Sequence, residues 1–451
     1  MHTANDLAGF IDASPTQFHA VHNVATRLLD AGFSQVNPTN DGAGSNDAAA
    51  AGQLAPTQAT TQASSLRSAS EPGARFVLRD GALIAWVDGP SPLTRLRMIG
   101  AHTDSPNLRI RPRPDTGSVG FRQLGIEVYG GALVNSWLDR DLGIAGRVAV
   151  SDGTGGIEHR LFRSPDAQVR VAQLAIHLDR GVNERGLVLD QQQHLTPIWG
   201  LGTAVEGDFR DWLAELIDCP ATDIYGWDAA CFDFQQSALF GRSSEFLAAP
   251  RLDNLCSTFG AVESLIAAKW AGSGPALIAL FDHEEVGSTT ATGADSGWLA
   301  RVLEQRRTGL GIDQGDWMDS LDSALLLSAD MAHATHPNYI ERHEPRHRIA
   351  LGAGPVIKHN VNARYATDSI GAGEFRLACE RADVPLQHYS HRGDLACGST
   401  IGPLAAAQLS VRTVDVGIAQ LSMHSAREVM AAADVDPMVR SFTAWLSPER
   451  D

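Results

Sequence analysis

Positive charge is scarce in this chain: 36 lysines and arginines stand against 53 aspartates and glutamates, a formal net charge of −17 over 451 residues. That balance argues against nucleic acid or an anionic membrane as a partner. Cysteine is scarce as well. The five (Cys219, Cys231, Cys256, Cys379 and Cys397) are scattered and form no CxxC, which speaks against a disulfide framework or a thiolate zinc site and for a reducing compartment. No apolar run reaches the length of a membrane span. The opening MHTANDLAGFIDASPTQFHA lacks the basic start and apolar core of a secretory leader, so a cytoplasmic location is expected. Several catalytic signatures are missing too. HEEVG is not HExxH, because Gly287 stands where the second histidine belongs; no GxSxG occurs; and GAGPVI (352–357) lacks the third glycine of a dinucleotide fingerprint.

What is present is the composition of a soluble, enzyme-sized protein, 43% apolar and 20% charged, long enough for two or three domains. Residues 3–31 carry apolar side chains at helical spacing, with His19 and His22 read as ordinary helix residues. Residues 37–73 hold almost no large apolar side chain and are expected to be a disordered insertion. RFVLRDGALIAWVDG (75–89) reads as a hairpin turning at Arg79-Asp80-Gly81. From residue 106 to about 247, short glycine-punctuated strands such as GIEVYGGAL and GIAGRVAVSDG suggest a β-rich module inside a larger unit. Beyond it, helices alternate with apolar strands, the pattern of an α/β fold with a mainly parallel sheet.

Three apolar runs share one grammar. LRMIGAHTD ends in His102 and Asp104, ALIALFDHEE in Glu284 and Glu285, and ALLLSADMAHATH in Asp330 with His333 and His336 just beyond. In open α/β sheets ligands gather outside the carboxyl ends of the strands, and solvation alone is a poor reason for three strands to end this way. Asp253 in APRLDNLCSTFG precedes a helical run, and His424 in AQLSMHSARE follows a strand-like segment and is expected to precede another helix. Histidines and carboxylates without thiolate suit zinc, cobalt or manganese. His102, Asp253, Asp330, Glu285 and His424 are enough to hold two ions with one shared carboxylate, leaving Glu284 uncoordinated as a base.

The motifs AHTDSP, NSWLDRDLGIAGRV, AIHLDR, PRLDNL, DHEEVGS, SADMAHATHPNY, VIKHNVNARYATDS, CGSTIGP and QLSMHSARE occur in the order seen in aspartyl aminopeptidases, which the chain resembles over nearly its whole length. The resemblance implies an α/β peptidase domain (1–105 and 248–451), its mainly parallel central sheet flanked by helices and interrupted by a β-rich dimerisation domain (106–247). It implies two divalent metals, zinc foremost: one on His102, Asp253 and Asp330, the other on Asp253, Glu285 and His424. Glu284 matches the catalytic base, and Asp104 the acid that orients His102. Lys358, the only lysine in the last hundred residues, resembles the group that meets an acidic substrate side chain. His177 resembles a histidine reaching into a neighbouring subunit's site, and His333 or His336 can serve as an oxyanion donor. The implied activity is release of N-terminal Asp or Glu from peptides by a homo-oligomer of dimers assembled into a dodecamer. A di-metal deacylase of N-acyl amino acids would use the same ligands, and a binding protein with a degenerate site is a third reading. The insertion at 37–73 is longer than the family usually shows.

Overall fold

The computed structural model describes residues 2–36, 73–89, 93, 95–270 and 275–447. The insertion expected at 37–73 lies outside the described residues, Gly73 apart. Among the described residues the strands gather into sheets of nine, six and five.

The nine-stranded sheet is the backbone of the larger unit. Its centre is four parallel neighbours in the order Ala276–Phe281, Arg97–His102, Leu325–Ala329 and Arg412–Gly417. These strands are buried on both sides, which is why they read as near-continuous apolar runs rather than as alternating ones. Ile99, Ile278 and Leu327 point to one face, with Leu7, Val24, Phe259, Phe375 and Trp445 from five helices (Ala4–Asp12, Gln17–Asp30, Leu252–Trp270, Ser369–Arg381, Val435–Leu446). Met98, Leu277 and Leu326 point to the other, against Trp298, Val302, Trp317 and Ile401 from Trp298–Gly309, Gln314–Asp322 and Ile401–Leu409. The alternation of adjacent residues between two cores is the period of two expected of a strand.

The helical opening expected at 3–31 is present as two helices, Ala4–Asp12 and Gln17–Asp30. Thr3 and Asp6 close a capping box at the first, and Pro15 lies in the break between them, where a ring and a missing N–H forbid continuation. The predicted hairpin is present as Ala74–Arg79 paired antiparallel with Ala82–Val87.

The six-stranded sheet runs Ile157–Arg163, Leu142–Ser151, Ile224–Asp233, Asn107–Ser118, Phe121–Tyr129, Ile198–Leu201, antiparallel throughout. The helix Asp208–Ile217 lays Phe209 and Leu213 on it, over Leu108, Leu124, Ile144 and Val148. The chain enters this sheet directly after Asp104 and leaves it for the hairpin Ala238–Phe240 and Phe246–Ala249, just before Asp253. That hairpin belongs to the five-stranded sheet, with Glu428–Ala431, Ala419–Leu421 and Ala332–His333. All three sheets therefore meet at one place.

Candidate active site

The three strand ends singled out in the sequence are immediate neighbours: Arg97–His102 lies between Ala276–Phe281 and Leu325–Ala329 in parallel register. His102 is the last residue of the middle strand. On one side the backbone turns sharply after Asp282, with His283 at φ +63 leading into a single 3-10 turn, Glu284–Val286. That turn brings both glutamates into the cleft, where an extended strand would have sent them to opposite faces. On the other side Asp330 follows Ala329 directly. Asp253 stands at the kinked start of the helix Leu252–Trp270, beside a cis Asp253–Asn254 peptide. His424, expected ahead of a helix, sits instead in a turn between the paired strands Ala419–Leu421 and Glu428–Ala431, at φ +66.

These side chains converge. Ligand atoms of His102, Asp253 and Asp330 lie within 4.8 Å of one another, as do those of Asp253, Glu285 and His424, and those of His102, Glu284 and Glu285. His102 Nε2 is 3.5 Å from Asp253 Oδ1, while His424 Nε2 is 3.3 Å from Asp253 Oδ2 and 3.4 Å from Glu285 Oε1. These spacings are long for good hydrogen bonds and suit donors that share a cation. Asp253 Oδ1 and Glu285 Oε1 are buried with no hydrogen-bond partner among the described residues. Buried carboxylate oxygens without a donor are costly unless something positive meets them, so the residues fit a divalent metal.

The surroundings hold the ligands still. His102 Nδ1 faces the Asp104 carbonyl at 3.0 Å and its carboxylate at 3.4 Å. Asp104 accepts backbone N–H bonds from Glu284 (3.1 Å) and Glu285 (3.2 Å) and a bond from the Tyr129 hydroxyl (2.7 Å). Glu428 is the group the sequence reading missed: it accepts from the backbone N–H of both Asp253 (3.0 Å) and His424 (2.7 Å), tying together two groups far apart in the chain. Its only sequence signal is its place four residues after His424.

Burial dominates the electrostatics. It pushes Glu284 up to about 8, with Asp330 and Asp104 adding to it and His102 opposing. It raises Glu285 well above its ordinary value and Asp330 to about 6, the latter against the pull of Lys358. His102 and His424 are raised, the second to about 10: burial alone would lower them, and the facing carboxylates outweigh it. Asp253 is held low although burial opposes this, because His102 and His424 flank it.

Lys358 is buried on the strand Val356–His359, donates to the Met331 carbonyl at 3.2 Å, and lies 3.9 Å from Asp330 Oδ2. His333 is close by, its ring 6.1 Å from that of Tyr389 and its pKa depressed to about 4 by burial and Lys358. His336 is engaged elsewhere, accepting from the Asn338 N–H and packing on Tyr339. His177 is exposed, on the 3-10 turn Ile176–Leu178, and is not brought to this chain's own cluster.

A buried histidine–carboxylate cluster at the carboxyl ends of parallel strands in an α/β sheet is the arrangement of a metal-binding enzyme site. Residues 53–446 match the family model of the aminopeptidase I zinc metalloproteases (M18). The chain is 45% identical over 456 residues to a probable M18 family aminopeptidase 2 of Mycobacterium bovis, covering 99% of this chain and 98% of that one. A Streptomyces coelicolor protein of the same description is 44% identical, covering 98% and 97%. Among solved structures, the complex of Ape4 with Nbr1 superposes with a TM-score of 0.89 at 34% identity, covering 98% of this chain and 85% of that one. The S. cerevisiae mApe1 dodecamer superposes with a TM-score of 0.80 at 26% identity, covering 98% and 95%. The chain belongs to the M18 aminopeptidase family: it is a metallo-aminopeptidase, a hydrolase acting on peptides.

Proposed function

We propose that this chain releases N-terminal aspartate or glutamate from peptides with the help of two divalent cations, zinc foremost and cobalt or manganese as alternatives. The observation that carries the reading is that two ligand trios share Asp253, and that Asp253 and Glu285 each keep a buried oxygen without a partner among the described residues. His102, Asp253 and Asp330 would hold one cation, and Asp253, Glu285 and His424 the other. When bound, such a pair supplies Lewis acidity to a water and to the scissile carbonyl and a counter-charge for ligand oxygens.

Glu284 belongs to neither trio that shares Asp253 and is left for proton transfer. It takes a proton from the attacking water and returns it to the leaving amine. Burial first, and then the neighbouring carboxylates, raise its pKa to about 8, and cations beside it would draw it down toward the range a base requires. Asp104 fixes the ring of His102. His333, neutral at physiological pH, can donate an N–H to the developing oxyanion; His336, bonded to Asn338, is the weaker candidate for that role.

Lys358 supplies the acidic preference. One of its three donors goes to Met331, which leaves donors for a substrate carboxylate. We further propose that residues 106–247 form the dimerisation domain, that His177 enters the site of a neighbouring copy, and that the copies assemble as a dodecamer, as the S. cerevisiae relative does. The free state of all five cysteines supports a reducing, cytoplasmic setting.

The test is hydrolysis of Asp-, Glu- and Leu-p-nitroanilide by purified protein, after chelation and after return of zinc, cobalt or manganese. Metal-dependent release from the acidic substrates alone is the expected result. Equal release from Leu-p-nitroanilide would remove the acidic preference, and cleavage of N-acyl amino acids only would make the chain a deacylase.

A further inference from the structure

The strand Phe121–Tyr129 ends against the ligand cluster although it belongs to the six-stranded sheet. Three consecutive residues there each touch a different part of the cluster. Tyr129 donates its hydroxyl to Asp104 Oδ2 at 2.7 Å, on the carboxylate that faces His102. Gly130, at φ +70, lies so close to Glu285 that a Cβ added to it would stand 3.0 Å from that residue's Cβ. The Gly131 carbonyl lies 3.0 Å from His424 Nδ1, which assigns the ring proton to that nitrogen and turns Nε2 toward Asp253 and Glu285. Tyr129 is itself braced, with the Arg109 guanidinium 3.9 Å above its ring.

We propose that Tyr129–Gly131 is a positioning segment for the metal centre. It sets the orientation of His102 through Asp104, of His424 through the Gly131 carbonyl, and of Glu285 by leaving it room. The inference rests on the ligand set proposed above and extends it: the six-stranded sheet is then part of the metal site as well as a candidate assembly module. Glycine at 130 is favoured by its left-handed backbone and by the tight contact a Cβ would make with Glu285. The Tyr129 hydroxyl is the one side-chain hydroxyl among the three donors that hold the Asp104 carboxylate, the other two being backbone N–H groups, and without it Oδ2 keeps a single donor.

Zinc affinity tests this by competition against a chromophoric chelator, on full-length wild type, Tyr129→Phe, Gly130→Ala, Asp104→Asn, and the Tyr129→Phe/Asp104→Asn double variant. Melting temperatures of the chelator-treated proteins are measured alongside. Loss of an outer partner of a metal ligand typically weakens binding about 10- to 100-fold, and Tyr129→Phe is expected to fall in that range while its metal-free melting temperature stays at the wild-type value. In the double variant, Tyr129→Phe should add little to Asp104→Asn, because it acts through that carboxylate. Wild-type zinc affinity in Tyr129→Phe, or a loss that adds in full to that of Asp104→Asn, would overturn the assignment. Gly130→Ala checks the same segment independently of the phenol, and unchanged affinity there would remove the Glu285 part. Asp253→Ala is the control for the ligand set: zinc bound as tightly by that variant as by wild type would refute the set itself, and this role with it.

Discussion

At the carboxyl ends of the parallel strands, Asp104, Asp253, Asp282 and Asp330 are buried with His102, and Glu428 lies behind them. Along residues 174–188 the arrangement is reversed: Leu178 is 74% exposed and Val188 80%, with Leu174, Ile176 and Leu187 also facing solvent. One region buries charge and the other leaves oil in water. Neither is a comfortable state for an isolated chain, because buried carboxylates need positive company and contiguous exposed apolar groups mark a surface that another molecule covers. The difference lies in what answers each. A point charge answers the first, at fixed geometry. An apolar surface would answer the second, and that would be an association between chains.

The largest effects are expected where the buried cluster is cut. Glu284→Gln keeps the shape and removes the base, so kcat should fall by about 10²- to 10⁴-fold while zinc content stays stoichiometric. A variant that keeps more than a tenth of the wild-type rate would take the proton-transfer role away from Glu284. Lys358→Ala cuts the same region more gently. Release from Asp-p-nitroanilide should drop by about 10- to 100-fold, the worth of one charge-assisted hydrogen bond, with a neutral substrate little changed. Equal losses on both substrates would mean that Lys358 serves Asp330 and not the substrate.

The exposed region is tested by Leu178→Asp combined with Val188→Asp. Each buried Leu or Val contributes about 1.5–3 kcal/mol, so the pair should shift a homo-oligomer toward smaller species in sedimentation velocity at micromolar protein. Unaltered sedimentation would show that these side chains are not at a subunit contact. A dissociated species that binds zinc normally yet loses activity is the expected companion result, since His177 sits in the same segment and would then be missing from a neighbour's site.

The two regions were unequally legible in the sequence. His102, Glu284, Glu285 and Asp330 could be read because a polar group that ends a doubly buried strand is rarely there for solvation alone, and the sheet order then put those ends side by side. Lys358 was singled out by the resemblance and as the only lysine in the last hundred residues, and the fold buries it 3.9 Å from Asp330. Glu428 and Tyr129 were not, because what they do depends on whose backbone N–H or carboxylate comes within reach, and that is fixed by tertiary approach. His424 was found as a residue but misplaced in structure: the strand Glu428–Ala431 is short and pairs with Phe246–Ala249, a partner far away in sequence. Composition marked 106–247 as β-rich, yet it carried no sign that the end of Phe121–Tyr129 would face the ligands.

The smallest expected effect is the pH dependence of the metal-free protein, and it arises in the buried cluster. Burial raises Glu284, Glu428 and Asp282 each to about 8, and Asp330 to about 6. A carboxyl whose folded pKa is raised stabilises the fold below its unfolded value and loses that contribution as pH rises through the folded one. His424, raised to about 10, has the same sign, its contribution falling away above its ordinary 6.5. Asp104 and Asp253 are lowered and run the other way, but their change is confined to pH below their ordinary 3.8. Between about pH 5 and 8 the chelator-treated protein should therefore melt at lower temperature as pH rises. Zinc binding has the opposite slope, since protons leave the ligands as the metal enters. The gap in melting temperature between zinc-loaded and chelated protein should widen from pH 6 to pH 8, and should widen equally in the Leu178→Asp/Val188→Asp variant, whose changed residues are none of the titrating groups. A constant gap in the wild type would mean that the buried carboxylates are not what the metal meets.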